Sequence, residues 1–449
     1  MKQTGAALKL NLYYILSLGL PYSVILIFSA YGPALHFISG PERNLRFSSI
    51  FLFILLTSMI IPSKKLLTER LRRNLLHTSI ILAAGLLAFF TRLPEWLQIS
   101  SLLLLGLIEG RIAQSWSRQF NKTAGKTDRI FILTSALFIA YALLYLANIS
   151  YPSIPVNLIP LTCSVILAAA VPFLILISSD KSINKTIEPA AISDAEQNFP
   201  IKNRITIYLI IFIIYLTAGF TYTIIFPEMK TYGILDRYYN VLPFVLIMPA
   251  AGLILHKTGP KNLLSIGIAL LGVSYIFHQF PTKTSTYFLV DSFIQPGWAF
   301  LDLFVWVIGS YLAKKTGKSR YIPFCVAVFL AGTVAGAILS IFFLKLELHN
   351  YRTIIFLTLS LLPLFLAVPM LNRIELSSNL GNTEPDPVLP DNILTAREYQ
   401  IARLLLLNKT QKEICTDIHI SINTLKTHTR NIYRKLGVKN KQELRRFKA

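Results

Sequence analysis

The strongest constraint on this chain is a series of long apolar blocks. A hydrocarbon layer of about 30 Å takes roughly 20 helical residues to cross. Twelve blocks of suitable length occur at residues 12–38, 48–62, 76–90, 97–115, 130–150, 154–178, 205–226, 241–256, 263–280, 286–313, 321–344 and 353–371. With 53% hydrophobic and 15% charged residues, the composition excludes an ordinary soluble protein. Because backbone groups in lipid must be satisfied within the segment, the blocks predict an all-α membrane bundle of about 12 helices.

Positive charge is distributed unevenly among the loops between these blocks. One alternate set of loops holds 21 Lys or Arg residues and the other set holds 8. Lys and Arg remain on the cytoplasmic side, so both termini are predicted to be cytoplasmic in a multi-pass protein of the inner membrane. The segment from Asp391 onward contains 13 basic and 5 acidic residues. This excess of positive charge suits a polyanionic partner.

Polar stretches divide the chain into a 6+6 plan. Residues 1–178 and 205–371 form two halves of a membrane domain, 1–371, and residues 179–204 are predicted to link them. Residues 372–393, with Pro385, Pro387 and Pro390, are typical of a flexible tether. A coil of about 20 residues spans on the order of 25 Å, which would keep a domain at 394–449 near the membrane.

One loop of the second half resembles a loop motif of the major facilitator superfamily. It places Gly252, His256, Lys257, Gly259 and Lys261 at the spacing of that motif, with His256 where the motif has Asp. The resemblance implies two six-helix halves related by an axis along the membrane normal. The corresponding first-half loop, 63–73, keeps the positive charge but lacks the glycines. This departure argues against transport activity more than against the fold. A tight glycine turn with positive flanks is the alternative.

The tail carries helix-capping signals. Thr395 with Glu398 and Thr410 with Glu413 have the spacing of capping boxes, and Ser421 is a further N-cap. Asn408 and Gly437 can adopt the left-handed conformation that ends a helix. These signals predict helices over 396–407, 411–417 and 422–436, with a fourth near 441–447.

The third predicted helix has two opposite faces. At 100° per residue, Leu425, Ile432 and Leu436 form one apolar stripe. Its expected partners in the preceding helices are Ile401, Leu405, Ile414 and Ile418. The opposite face is polar and cationic and carries no acidic residue; it comprises Asn423, Lys426, Thr427, Arg430 and Arg434. A basic second helix of a helix-turn-helix is the geometry that enters a major groove of DNA.

The tail is similar to the LuxR/NarL family of bacterial transcription regulators. The similarity rests on the segment 394–398, on 412–414, on Ser421, on 424–426, on His428 and on 432–438, in the family's order and spacing. It implies double-stranded DNA as partner, base contacts from Lys426, Thr427 and Arg430, and a homodimer on DNA. Phosphate or adjacent contacts are expected from Thr410, Gln411, Asn423, Thr424, Arg434 and Lys435.

Acidic residues within the membrane blocks are candidates for a ligand site, because charge in a bilayer is costly. The predicted cavity comprises Glu109, Asp291, Gln295, Trp298 and Asp302. A cation, a proton or an amine-bearing small molecule would suit these carboxylates. Alternatively, Glu109 pairs with Arg111, and Asp291 lies near the outer interface. Gly332 and Gly336 predict close helix packing.

Two functions fit this organisation. The first is a membrane-bound transcription regulator whose transporter-like bundle, embedded in lipid, senses an unknown small molecule. The second is a working secondary transporter with a DNA-binding tail. No pairing of nucleophile and base, metal-ligand spacing or phosphate loop is evident, so neither an enzyme nor a cofactor or metal is expected.

Overall fold

The computed structural model describes residues 2–28, 34, 41–61, 69–122, 128–179, 200–226, 234–280, 284–345, 366–367, 369–370, 394–406, 411–418, 420–438 and 440–444. Within these ranges every extended regular element is a helix, which confirms the predicted all-α class. The chain divides into two compact units, Met1–Leu380 and Gly381–Ala449.

Six helices form the first half of the membrane unit. They are α1 (Lys2–Phe28), α2 (Pro41–Ile60), α3 (Glu69–Ala88), α4 (Glu95–Lys122), α5 (Arg129–Ser150) and α6 (Ile159–Ser179). The first three begin seven to ten residues before the predicted apolar spans. Hydropathy marks only the lipid-crossing part of a helix, whereas backbone hydrogen bonding continues into its polar ends. The apolar spans within these helices begin at Leu8, Phe47 and Asn74, within four residues of the predicted starts.

The second half contains α7 (Ile201–Phe220), extended by a π-helical turn at Thr221–Ile225, followed by α8 (Ile234–Tyr239), α9 (Leu242–Thr258), α10 (Pro260–Phe277), α11 (Thr284–Thr316) and α12 (Tyr321–Lys345). The 33-residue α11 is the innermost of the long helices, since 94% of its most apolar window is buried. The candidate acidic residues Asp291 and Asp302 are both on it.

Nine helices within the described ranges are long and apolar enough to cross a membrane, and Phe47–Ile60 and Asn74–Ala88 are shorter apolar helices. The twelfth predicted span, 353–371, lies almost wholly outside the described residues, so the count of twelve stays a prediction. The tether at 372–393 and most of the linker at 179–204 also lie outside them.

Glycines allow close helix contacts in this unit. A Cβ atom at Gly332 would lie 2.6 Å from the carbonyl oxygen of Phe212, and one at Gly336 would overlap the carbonyl of Leu216. The predicted close packing is confirmed, and its partner is α7. Gly252 of the second half meets the first half in the same way, because its Cβ would lie 2.7 Å from Thr134 Cγ2.

The second unit contains α13 (Ala396–Leu406), α14 (Gln411–Ile418), α15 (Ile422–Leu436) and α16 (Lys441–Leu444). These helices agree with the predicted ones to within about one residue wherever both ends are described. Leu425, Ile432 and Leu436 share one buried cluster with the four predicted partners, Ile401, Leu405, Ile414 and Ile418. The unit therefore has a hydrophobic core of its own.

Candidate functional site

A capping box fixes the start of α13 and ties it to α15. The Thr395 backbone N–H donates to Glu398 Oε2 at 2.9 Å, and the Glu398 N–H donates to Thr395 Oγ1 at 3.3 Å. Lys435 of α15 donates to the same Glu398 oxygen at 2.7 Å. These hydrogen bonds, first that of Lys435, lower the pKa of Glu398 to about 2. The capping role is confirmed, and the ion pair was not foreseen.

Helix α15 begins and ends at the capping residues that the sequence predicts, Ser421 and Gly437. Ser421 Oγ accepts the backbone N–H of Thr424 at 3.1 Å. Gly437 ends the helix in the left-handed conformation, with φ 64° and ψ 34°. The candidate capping residues Asn408 and Thr410 lie outside the described residues.

The predicted base-contacting residues share one exposed face of α15. Lys426, Thr427 and Arg430 are exposed, whereas Leu425 and Ile432 on the opposite side are 1% and 0% exposed. Asn423 and Arg434 are exposed beside the three. The fold thus gives the helix an apolar side that holds it and a cationic side that remains accessible.

The residues predicted to contact phosphates differ in their local bonding. Gln411 begins α14 and is exposed. Thr424 already shares a hydrogen bond with Ser421 at 2.8 Å between hydroxyl oxygens, and Lys435 is bound to Glu398. Their proposed phosphate contacts stay predictions.

Arg397 is a structural residue that the sequence prediction missed. Its guanidinium donates to the backbone carbonyl of Ile418, the last residue of α14, and to Gln400 Oε1. It therefore satisfies an orphan carbonyl at the end of the helix before the turn. No capping motif points to it, because Arg397 is 21 residues from Ile418.

In the membrane unit, a cavity of about 140 Å³ lies between the two halves around Asp302. The carboxylate of Asp302 accepts a hydrogen bond from Tyr215 of α7 at 2.5 Å and another from Tyr141 of α5. Since α5 belongs to the first half and α11 to the second, the Tyr141 bond joins the halves. Two donors therefore hold a buried carboxylate at the seam of the bundle.

The walls of this cavity are mainly aromatic. They include Tyr22, Tyr141, Tyr215, Tyr222, Phe226, Phe244, Trp298 and Phe329, with polar groups from Asn148, Asn240, Gln295, Asp302 and Thr333. Tyr141 stacks on Phe244 with ring centroids 3.6 Å apart. The Trp298 indole N–H is buried without a hydrogen-bond partner among the described residues.

Three of the five predicted cavity residues come together here, namely Gln295, Trp298 and Asp302. Asp291 is one turn from Gln295, which donates to it at 3.3 Å, but it does not line the cavity. It is fully buried, and its position relative to the outer membrane interface stays a prediction.

Glu109 is also absent from this lining. Its side chain is buried on α4, and its Oε1 has no partner in the described part of the chain. Arg111 instead donates to the Ile61 carbonyl and to Gln114, so the alternative of a local pair with Glu109 gains no support.

The tyrosines were the main omission from the predicted site. Tyr22, Tyr141, Tyr215 and Tyr222 come from three helices far apart in sequence. A tyrosine in an apolar helix ordinarily indicates packing or interface position. Only the pairing of α5 and α7 with α11 gives the Tyr141 and Tyr215 hydroxyls a common target, Asp302.

Comparison with known proteins identifies the tail. Residues 392–447 match the family model described as bacterial regulatory proteins, luxR family. A 64-residue segment is 33% identical to the HTH-type transcriptional regulator MalT of Klebsiella pneumoniae subsp. pneumoniae, covering 14% of this chain and 7% of that regulator. The MalT of Yersinia pestis (strain Pestoides F) is 38% identical over 61 residues, or 13% of this chain and 7% of the regulator.

The membrane unit has counterparts among solved transporter structures. The major facilitator superfamily proton:xylose symporter XylE matches with a TM-score of 0.58 and 14% identity, over 83% of this chain and 96% of the symporter. The human organic anion transporter MFSD10 matches with a TM-score of 0.55 and 13% identity, over 82% and 100% of the two chains. At these identities the likeness shows the fold alone.

These findings define a multi-pass membrane protein with a family-matched domain in its tail. It combines a membrane domain of the major facilitator superfamily fold with a LuxR-type helix-turn-helix domain at 392–447. The match spans only 7% of the length of the MalT relatives, so their similarity extends to this domain and no further.

Proposed function

We propose that this protein is a membrane-bound bacterial transcription regulator in which the bundle senses a small molecule and thereby controls DNA binding by the tail. The observation that carries the proposal is a LuxR-type domain with an accessible cationic helix on the same chain as a bundle with a polar cavity between its halves. Both termini are cytoplasmic in the inner membrane, as the charge of the loops predicts. The chain has no enzymatic activity.

The ligand is a small organic cation. The described lining of the Asp302 cavity has one carboxylate and no Lys, Arg or His, so a buried negative charge there needs a proton or a cationic ligand. The aromatic walls add attraction for a cation through their ring faces. A cavity of about 150 Å³ accommodates benzene, so one of about 140 Å³ suits an amine of similar size.

Signal transfer is a shift between two arrangements of the halves. A ligand between Tyr141 of the first half and Asp302 of the second binds these arrangements unequally, because it contacts both halves. The arrangement that the ligand favours differs from the other in how it presents the tails to DNA or pairs them. LuxR-type domains act as dimers on paired half-sites, so we infer a homodimer on DNA.

Transcript profiling tests the regulatory function. Cells with the wild-type chain are compared with cells that carry Lys426→Ala and Arg430→Ala at equal membrane levels. We expect the transcript levels of a discrete set of genes to differ between the two kinds of cell. If no transcript level differed, the proposal would be refuted. Uptake assays in proteoliposomes test the alternative that the protein is a working transporter. That alternative would be favoured if the wild type translocated an amine and Asp302→Asn did not.

A further inference from the structure

A second cavity, of about 520 Å³, lies at the end of the bundle where α7 and α12 begin. On the proposed topology this is the cytoplasmic end. Its polar wall includes Arg118 of α4, Arg204 of α7 and Arg320, which immediately precedes α12. Arg118 belongs to the first half and the other two belong to the second. The described residues that line it include no Asp or Glu.

Two of these arginines are held in place by one aromatic ring. The guanidinium carbons of Arg204 and Arg320 each lie 5.7 Å from the centroid of the Tyr321 ring. Arg204 also donates a hydrogen bond to the Tyr321 hydroxyl. The two like charges are thus gathered at one wall, where an anion is attracted to both.

The same cavity contains donors that the protein leaves unused. Arg204 Nε and the Tyr208 hydroxyl are buried and have no hydrogen-bond partner among the residues described. Helix α7 begins here at Ile201 without a side-chain cap. Helix N-termini carry partial positive charge and unpaired N–H groups that bind anions.

We propose that this cavity binds a phosphate-bearing anion that bridges the two halves. Three guanidinium groups suit a phosphate, which has a charge near −2 and several acceptor oxygens. The anion contacts Arg118 of the first half and Arg204 and Arg320 of the second, so it favours the arrangement in which these helix ends are close. The phosphate comes from a free metabolite or from a lipid headgroup. This site is separate from the Asp302 cavity. A negative result for phosphate binding here would therefore not contradict the proposed sensing function.

The test uses the full-length chain in nanodiscs of neutral phosphatidylcholine, with inorganic pyrophosphate as the probe. Lys426→Ala and Arg430→Ala are present throughout, so that the DNA-binding face contributes little binding. Pyrophosphate should raise the thermal unfolding midpoint of the membrane unit, whereas sodium chloride at equal ionic strength should not. Arg320→Gln should weaken binding by about tenfold or more, as loss of a charged hydrogen bond does. Lys257→Gln, an exposed charge outside the cavity, is the matched control.

A second variant adds a carboxylate instead of removing a cation. Ser319→Asp should raise the unfolding midpoint without pyrophosphate and cancel the response to it. If nanodiscs with phosphatidylglycerol raise the midpoint of the wild type but not of Arg320→Gln, and pyrophosphate then adds nothing, the headgroup is the ligand. Equal responses of the wild type and Arg320→Gln, or no stabilisation by either anion, would overturn the proposal.

Discussion

Asp302 of α11 accepts a hydrogen bond from the hydroxyl of Tyr141 on α5, and this bond joins the two halves of the membrane unit. Tyr215 binds the other carboxylate oxygen at 2.5 Å. Tyr141 is therefore a residue of the first half whose orientation depends on a charge in the second. A ligand that displaces either tyrosine changes how the halves are held together.

Asp302→Asn should abolish the response to a small amine while leaving the amount of membrane-inserted protein unchanged. The amide retains the size of the carboxylate but loses its charge, so amine affinity should fall by about tenfold or more. A reporter under a regulated promoter, titrated with benzylamine, measures the response. Benzyl alcohol, which has a similar shape and no charge, should be inactive. Asp291→Asn is the matched control, because this buried carboxylate does not line the cavity.

Gly336→Ala should destabilise the membrane unit. The added methyl group would overlap the Leu216 carbonyl of α7, and a backbone atom cannot move aside as a flexible side chain can. We expect a loss of about 1–3 kcal/mol, typical of overpacking, seen as a lower thermal unfolding midpoint. Gly85→Ala is the control, since nothing lies within 4 Å of a Cβ there. Equal midpoints for the two variants would contradict the close contact of α7 and α12.

Substitutions on the exposed face of α15 should separate base contacts from phosphate contacts. Lys426→Ala or Arg430→Ala should each cost about 1–3 kcal/mol of specific binding and relax sequence preference. Arg434→Ala should weaken binding to all sequences alike and reduce the salt slope by about one. Competition titrations against specific and random duplexes measure both effects. If Arg434→Ala altered sequence preference and Lys426→Ala did not, the assignment of the face would be wrong.

The tail domain should lose stability in acid through Glu398. Its pKa is about 2 in the folded state, below the ordinary value of 4.5, so the ionised form is favoured by folding. This contribution is complete above about pH 4.5 and is lost as the pH falls toward 2. Circular dichroism of residues 381–449 during thermal unfolding should show a smaller acid dependence for Glu398→Gln than for the wild type. Glu443→Gln, in the first turn of α16 where Asn440 Oδ1 accepts the backbone N–H of residue 443, should behave like the wild type.

The sequence predicts the tail in detail because its signals are local. Thr395 and Glu398 are three residues apart, and Leu425, Ile432 and Leu436 share a stripe on one helix. A single helix periodicity is enough to infer both relationships. The bond between Arg397 and the Ile418 carbonyl spans a turn and therefore has no such signal.

The membrane site is less accessible to sequence reasoning, since it depends on how helices pair. Asp302 is conspicuous because a carboxylate is rare in an apolar helix, and Gln295 and Trp298 are on the same helix. Tyr141 and Tyr215 are 161 and 87 residues away from Asp302 and look like ordinary apolar-helix residues. Glu109 is equally conspicuous in sequence, yet no residue of its helix, α4, is in the described lining of the cavity.

The central claim is that the membrane unit controls DNA occupancy by the tail. The most direct measurement is chromatin immunoprecipitation of the full-length chain, with and without benzylamine, in wild-type, Asp302→Asn and Lys426→Ala/Arg430→Ala cells at equal membrane levels. Occupancy of discrete promoters should respond to the amine in the wild type, become insensitive to it in Asp302→Asn, and disappear in the double variant. Promoter occupancy that is identical in wild-type and Asp302→Asn cells under both conditions would contradict the account.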